Sequence, residues 1–360
     1  MRIALAQINT TVGDIAGNLR RILDFTARAK SQGATLCVFP ELSVTGYPPK
    51  DLLLKPQFIS DNLAAIQTIA DQIHGIHALV GYAQPNDDPI GRPLRNALAL
   101  VADGQIKSRH FKTLLPTYDV FDESRYFEPG HASERGNLAR IDDRVVGLSI
   151  CEDLWNDEKM MPRRLYHQNP ISLLNAAGAE ILINASASPF VVGKHEFRLS
   201  LFSSQVRQFS KPLVYVNQVG GNDELVFDGN SLALDADGQV IAQAKDFDED
   251  LLLVDFPAAS PARRECPSSG IESIYNALIL GLRDYVRKCG FKTVVLGLSG
   301  GIDSALTAAL AVDALGSDKV VGVAMPSRFS SEHSLADARQ LAANLGIEFQ
   351  VVPIELVHTA

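Results

Sequence analysis

Short apolar runs of strand length alternate with segments of helical period along this chain, and that alternation constrains the fold more than any other feature. In the last third it is strict. Lys292 to Leu298 reads as a buried strand, Asp303 to Leu315 as a helix, and Lys319 to Met325 as a strand. Glu332 to Leu345 follows as a helix and Glu348 to Ile354 as a strand. Such order predicts a parallel, doubly wound α/β unit, preceded by a helix over Ile271 to Lys288. With three strands, it leaves a sheet edge and apolar helix faces uncovered, so this domain reads as incomplete. Upstream, crossover and hairpin connections are mixed. Strands at Arg2 to Ile8, Thr35 to Phe39, Ala78 to Tyr82, Glu180 to Asn184, Leu213 to Val219 and Leu251 to Phe256 are interleaved with helices at Asn18 to Lys30, Phe58 to Ile73, Ile171 to Ala177 and His195 to Phe209. Asp103-Gly104 and Asp237-Gly238 mark hairpins. This implies one mixed sheet or two stacked sheets with helices outside. The Pro-rich stretch from Pro257 to Ser269 reads as a linker, giving domains at 1–256 and 271–360 with a linker at 257–270.

Hydrophobic residues at 46% of 360 are enough to bury large cores, which excludes a disordered chain. A net charge of −9 weighs against a broad nucleic-acid or membrane surface, since either needs a basic face. The cysteines Cys37, Cys151, Cys266 and Cys289 form no CxxC pair, so a zinc site or disulfide framework is not expected and a reducing cytoplasm fits. The strand-like Met1 to Ile8 is not followed by a signal-peptide apolar region, and no run reaches the length of a membrane span.

Two stretches carry chemistry. Val145 to Ile150 is apolar on both faces and runs into Cys151-Glu152-Asp153-Leu154-Trp155. A cysteine nucleophile needs a base or a positive field, and a lysine can stabilise the oxyanion formed on attack at a carbonyl. Glu41, Lys112 and Cys151 each follow a predicted strand, so they could share one rim, although spacing alone does not establish it. Cys37, inside an apolar run, reads as a core thiol; Cys266 and Cys289 read as linker and helix-end residues. The second stretch, Val294 to Ala305, is strand, glycine turn and helix start, with the turn Ser299-Gly300-Gly301-Ile302-Asp303-Ser304. Paired glycines let backbone N–H groups approach a pyrophosphate, and Asp303 could bind Mg²⁺ or cap the helix. It is neither a Walker A loop nor a GxGxxG fingerprint.

Phe39-Pro40-Glu41-Leu42, Lys112-Thr113-Leu114-Leu115-Pro116 and Ser149-Ile150-Cys151-Glu152-Asp153 resemble the three signatures of the nitrilase, or carbon–nitrogen hydrolase, superfamily. The resemblance covers roughly the first 255 residues. It implies a four-layer α-β-β-α nitrilase-like sandwich, followed here by the incomplete doubly wound parallel α/β domain. It also implies Glu41 as general base, Cys151 as nucleophile and Lys112 as stabiliser of the tetrahedral intermediate, with the backbone N–H of Glu152 donating to the oxyanion. Phe121 to Phe127 resembles the stretch bearing that superfamily's second glutamate, so Glu123 would hold Lys112 or a substrate amine. Tyr118 is a pocket candidate. Asn184 to Phe190 with Lys194 resembles a glutamine-contacting segment, in which Ser188 and Lys194 would hold an α-carboxylate.

The SGGxDS turn resembles the ATP-pyrophosphatase loop, which implies that Gly297, Leu298, Ser299, Gly300, Gly301, Ile302, Asp303 and Ser304 cradle ATP. The two parts together resemble the glutamine-dependent NAD⁺ synthetase family, as do Glu272 to Leu278, Gly281 to Tyr285 and Met325 to Ser331. That resemblance implies ammonia release from L-glutamine, then ATP- and Mg²⁺-dependent amidation of deamido-NAD with AMP and pyrophosphate as products. It implies no tightly bound organic cofactor, and together with the incomplete domain it points to a homo-oligomer. The family's synthetase domain continues past His358-Thr359-Ala360, and its pocket-closing residues would lie there. The competing readings are a free-standing amidase with a non-functional C-terminal nucleotide-binding fragment and a nucleotide sensor without turnover.

Overall fold

The computed structural model describes residues 1–130, 136–157, 160, 163, 165–257 and 262–355. Part of the expected linker and the stretch His358-Thr359-Ala360 lie outside the described residues. The chain divides into two compact units, Met1–Gly220 with Phe227–Gly270, and Gly221–Val226 with Ile271–Ala360.

In chain order the first stretch contains β1 (Arg2–Gln7), α1 (Ile15–Ser31), β2 (Leu36–Val38), α2 (Pro56–Gln72), β3 (His77–Pro85), β4 (Leu94–Ala102), β5 (Gln105–Phe111), β6 (Leu138–Ile141), β7 (Arg144–Ile150) and α3 (Pro170–Ala176). Then come β8 (Ile181–Ser186), α4 (Lys194–Phe209), β9 (Leu213–Asn217), β10 (Val219–Asn222), β11 (Leu225–Asp228), β12 (Leu232–Leu234), β13 (Val240–Gln243) and β14 (Asp250–Asp255). Two six-stranded sheets result, in the orders β14-β1-β2-β3-β4-β5 and β13-β12-β9-β8-β7-β6. Each has three parallel strands at its centre, β1-β2-β3 and β9-β8-β7, flanked by antiparallel ones.

Strand alternation sorts the side chains into layers. On β1, Ile3 and Leu5 join Val146, Leu148, Ile183 and Val214 of the other sheet in a core between the sheets. Ala4 and Ala6 face the opposite way and pack with Ile22 and Phe25 of α1 and Ile66 and Ile69 of α2. On the far side, Leu182 and Tyr215 pack with Ile171 of α3 and Leu201 and Phe202 of α4. Each fully buried aliphatic contributes about 1.5–3 kcal/mol, so both sheets are held by two apolar faces each. The layers are therefore α-β-β-α. Helix ends follow local chemistry: the Asp14 side chain accepts from the Gly17 N–H at 2.9 Å to start α1, and Pro56 opens α2, where its missing N–H costs nothing.

Three elements escape a reading of the sequence. The four-residue β6 is too short for a periodic signal, and it pairs with β7 through the unrecognised turn at Asp142-Asp143. The β10–β11 hairpin begins Val-Gly-Gly-Asn, where glycines carry no side-chain pattern. The expected strand through Val219 in fact ends at Asn217, and β10 starts a different sheet.

The second unit holds α5 (Gly270–Lys288), β15 (Val294–Gly297), α6 (Ile302–Leu315), β16 (Val320–Ala324), α7 (Glu332–Leu345) and β17 (Glu348–Val351). Its sheet is parallel, in the order β15-β16-β17. Leu298, Ala308, Ala311, Val320, Ala338, Ala342 and Ile347 form its core. Val295 and Leu306 stay 68% and 58% exposed, so the uncovered apolar surface expected of a three-stranded sheet is present. No helix among the described residues is long and apolar enough to cross a membrane.

Candidate active site

Glu41 follows β2 and is fully buried. Its backbone can lie there because β3 has a glycine beneath it. A Cβ on Gly81 would stand 2.4 Å from the Leu42 nitrogen and 2.5 Å from the Pro40 oxygen. Lys112 follows β5, its N–H bonded to the Asn96 carbonyl of β4 at 2.9 Å. Its Nζ reaches Glu41 Oε1 at 2.7 Å and Glu123 Oε1 at 2.8 Å, all three side chains being buried. Burial alone would lower the lysine's proton affinity, but the carboxylates of Glu123 and Glu41 outweigh it and hold the ammonium form well above its ordinary range. Burial also pushes the Glu123 carboxyl up, to about 7, against the pull of Lys112. Asn96 Nδ2 donates to Glu41 Oε1 at 2.7 Å and to Glu123 Oε2 at 3.5 Å. Tyr47 OH donates to Glu123 Oε1 at 2.9 Å, and the Ala187 N–H donates to Glu41 Oε2 at 3.1 Å.

Cys151 begins a short 3₁₀ turn, Cys151–Leu154, at the end of β7. Its φ is +42°, a left-handed conformation that costs a non-glycine residue about 1–2 kcal/mol. Asp153 offsets this. Its Oδ2 accepts from the Ile150 N–H at 3.0 Å, and its Oδ1 accepts from Thr113 and Leu114 N–H at 3.0 and 2.8 Å. The carboxylate thus ties the cysteine turn to the segment just after Lys112. Asn184 Nδ2 adds bonds to Ser149 Oγ at 3.0 Å and the Cys151 carbonyl at 3.4 Å. Burial, then the Glu41 charge, push the thiol well above its ordinary range, with Lys112 opposing them. Burial thus favours the neutral thiol, which lies in the field of Glu41, Lys112, Glu123 and Glu152.

The remaining candidates surround this cluster. Glu152 is buried, and its carboxylate accepts from Tyr118 OH at 3.0 and 2.9 Å and from Tyr166 OH at 3.0 Å. Ser188, after β8, is buried; its Oγ accepts from Arg198 at 3.1 Å, and Arg198 also pairs with Asp228 at 2.7 Å. Lys194 opens α4, donates to the Pro189 carbonyl at 3.0 Å and lies 5.3 Å from the Trp155 ring centre. Burial, helped by Arg198, lowers its ammonium to about 8. Glu123 contacts Lys112, the first of the two partners expected for it.

In the second unit Ser299 to Gly301 turn between β15 and α6, and Ile302 to Ser304 are the first residues of α6. Gly300 has φ +80°, and a Cβ there would sit 2.4 Å from the Ser334 carbonyl oxygen. Ser299 and Ser304 hydroxyls bond each other at 3.1 Å, and Ser304 Oγ donates to the Gly301 carbonyl at 3.0 Å. A cavity of about 520 Å³ lies beside the turn, lined by Gly297, Leu298, Ser299, Met325, Phe329 and Ser334 among others. One expectation is corrected. Asp303 does not cap α6, because the helix starts at Ile302 with Gly301 as its N-cap. The carboxylate is exposed in the first turn, two residues past the cap position.

Asn96, Tyr47, Asp153, Tyr166 and Arg198 carry no assignment in the sequence reading. A signal existed for Asn96: a polar residue in the apolar run Leu94 to Ala102 must find a buried partner. Asp153 sat inside a recognised motif without an assigned task. Tyr47 and Tyr166 lie in loops, where sequence gives no direction to a side chain.

Two stacked sheets carrying an acid–lysine–thiol cluster on their strand ends are the architecture of carbon–nitrogen hydrolases. The model of the Carbon-nitrogen hydrolase family matches residues 2–263, and the chain belongs to that family. A second model, NAD synthase, matches residues 274–360. A glutamine-dependent NAD(+) synthetase of Synechocystis sp. is 45% identical over 98% of this chain, which spans 64% of that relative's length. The solved glutamine-dependent NAD+ synthetase of Acinetobacter baumannii in complex with adenosine diphosphate superposes with a TM-score of 0.89 at 35% identity. That match covers 99% of this chain and 65% of that one. A nitrilase-superfamily amidase from Nesterenkonia AN1 matches at a TM-score of 0.60 and 26% identity, over 71% of this chain and 90% of its own.

Proposed function

We propose that the chain is the glutaminase part, with the first portion of the synthetase part, of a glutamine-hydrolysing NAD⁺ synthetase, divided at 1–256, 257–270 and 271–360. The observation that carries the reading is the buried Lys112 ammonium between the Glu41 and Glu123 carboxylates, beside the Cys151 thiol. Glu41 takes the thiol proton as Cys151 attacks the side-chain amide of L-glutamine. Lys112, with the backbone N–H of Glu152, stabilises the oxyanion, because a fixed cation in a water-poor site needs no reorganisation as charge develops. Ammonia leaves with the proton returned by Glu41, and water, activated by the same carboxylate, cleaves the thioester to glutamate. Tyr118, Glu123, Glu152, Ser188 and Lys194 shape the glutamine pocket. The matching relatives are named for dependence on glutamine over both parts of the chain, which disfavours a free-standing amidase.

ATP is the second substrate, at Gly297 to Ser304. The close approach of Gly300 to the α7 backbone leaves no room for a side chain, and the adjoining cavity is of nucleotide size. Among the described residues no cluster of three or more His, Cys, Asp or Glu side chains is arranged to hold a metal. Mg²⁺ binds through one or two carboxylates plus substrate phosphates, so Asp303 fits a metal that arrives with the nucleotide. Ammonia then amidates deamido-NAD through an adenylate, releasing AMP and pyrophosphate. A homo-oligomer is the expected assembly.

The test supplies glutamine, ATP, Mg²⁺ and deamido-NAD to the full-length protein and measures glutamate and NAD⁺. Cys151→Ala should abolish glutamate release and glutamine-driven synthesis while synthesis with ammonium persists. Glutamate release that survives in Cys151→Ala would reject the reading.

A further inference from the structure

We propose that Asn96 is the positioning residue of the Glu41–Lys112–Cys151 site, and that it leaves Glu41 Oε2 as the only oxygen free to take the Cys151 proton. The inference rests on the reading of Glu41 as base and Cys151 as nucleophile. It does not depend on which amide is the substrate.

An ionised carboxylate offers about four lone-pair sites, two on each oxygen. Glu41 Oε1 is filled by Lys112 Nζ at 2.7 Å and Asn96 Nδ2 at 2.7 Å. Among the described residues Glu41 Oε2 accepts one bond, from the Ala187 N–H at 3.1 Å, which leaves it one open site. The proton leaving Sγ therefore goes to Oε2, and the sulfur keeps the electron pair with which it attacks. Asn96 makes this selection, since without its N–H group either oxygen could accept.

The amide is fixed in that role. Asn96 lies on β4, buried, and its carbonyl binds the Lys112 N–H, so the strand pairing that places Lys112 also places Asn96. Its orientation follows from charge: turning the amide would aim Oδ1 at Glu41 and Glu123, two carboxylates, instead of an N–H donor. The same amide spans both acids, with Glu123 Oε2 at 3.5 Å. It gives both acids a shared donor in addition to Lys112. Its Oδ1 is buried without a hydrogen-bond partner among the described residues, so the side chain keeps its donors engaged although its acceptor gains nothing.

The experiment measures alkylation of Cys151 by iodoacetamide across pH 5 to 10, in the wild-type chain, Asn96→Leu and Asn96→Asp, with glutamine kinetics alongside. Leucine removes the donors and the unpartnered oxygen at similar volume; aspartate keeps the shape should leucine fail to fold. The expected result is at least a tenfold slower alkylation and an acid limb moved to higher pH. KM for glutamine should stay within twofold in the folded variant. Wild-type rate and pH profile in a folded variant would overturn the proposal, because a merely structural asparagine would leave both unmoved. Wild-type protein that alkylates normally yet releases no glutamate would reject the glutaminase reading and leave this inference standing.

Discussion

Consecutive residues from Ser299 to Ser304 make one site, whereas the other draws on Glu41, Tyr47, Asn96, Lys112, Glu123, Cys151 and Asp153. The turn at Ser299 is open to solvent and offers backbone freed by glycine. The Cys151 cluster is closed and is built from charged side chains that strand ends bring together. The proposed function would account for the contrast. A phosphate chain brings its own charge and needs close N–H groups, so glycine and a helix start suffice. An amide is neutral, so the protein must supply the nucleophile, the base and the cation, and hold all of them out of water.

Removing charge should therefore hurt one site far more than the other. Lys112→Met leaves two buried carboxylates without their cation and should cost about 3–5 kcal/mol, together with all measurable glutamate release. Asp303→Asn, at an exposed position, should change stability by less than about 0.5 kcal/mol. Urea unfolding of the first unit, followed through its only tryptophan, Trp155, measures the lysine variant; circular dichroism measures the other. Equal penalties would break the contrast.

Backbone crowding should act at both sites. At Gly81 an added methyl meets the backbone that carries Glu41, and at Gly300 it meets Ser334. Gly81→Ala is expected to slow glutamate release at least tenfold. Gly300→Ala should weaken ATP binding at least tenfold by equilibrium dialysis, with the left-handed φ adding about 1–2 kcal/mol of strain.

The difference in composition also explains what a reader of the sequence can find. The SGGxDS turn is legible because its parts are adjacent. Glu41, Lys112 and Cys151 are legible because each lies in its own motif, yet their meeting was an expectation until the two sheets brought their ends together. Asn96 showed only as a polar residue in an apolar strand; which partners it binds was not readable, since they are distant along the chain and reach it through sheet register. The two-sheet sandwich was readable from alternation and hairpin signals, while β6 and the β10–β11 hairpin were too short or too glycine-rich to show a period.

Titration separates the closed site further. Burial raises the Glu123 carboxyl from 4.5 to about 7, so the native state binds the proton more tightly than the unfolded chain. Its contribution to stability is therefore fully present below about pH 4.5 and is lost as pH rises through about 7. Glu123→Gln does not titrate, so its stability relative to wild type should rise between pH 5 and pH 8, by on the order of 1–3 kcal/mol. Parallel stability curves would remove Glu123 from the charge balance of the cluster. A smaller effect is expected at Lys194, whose ammonium is lowered to about 8 by burial. KM for glutamine should climb several-fold from pH 7.5 to 9 as that charge is lost, and Lys194→Met should flatten the profile.

The most direct measurement uses a glutamine analogue carrying a diazoketone in place of the amide, followed by peptide mapping of the labelled chain. Cys266 and Cys289 are exposed and Cys151 is buried, so simple accessibility favours the first two. The account predicts one label per chain, on Cys151, and none in Glu41→Gln. Label on Cys266 or Cys289 with Cys151 untouched would contradict it.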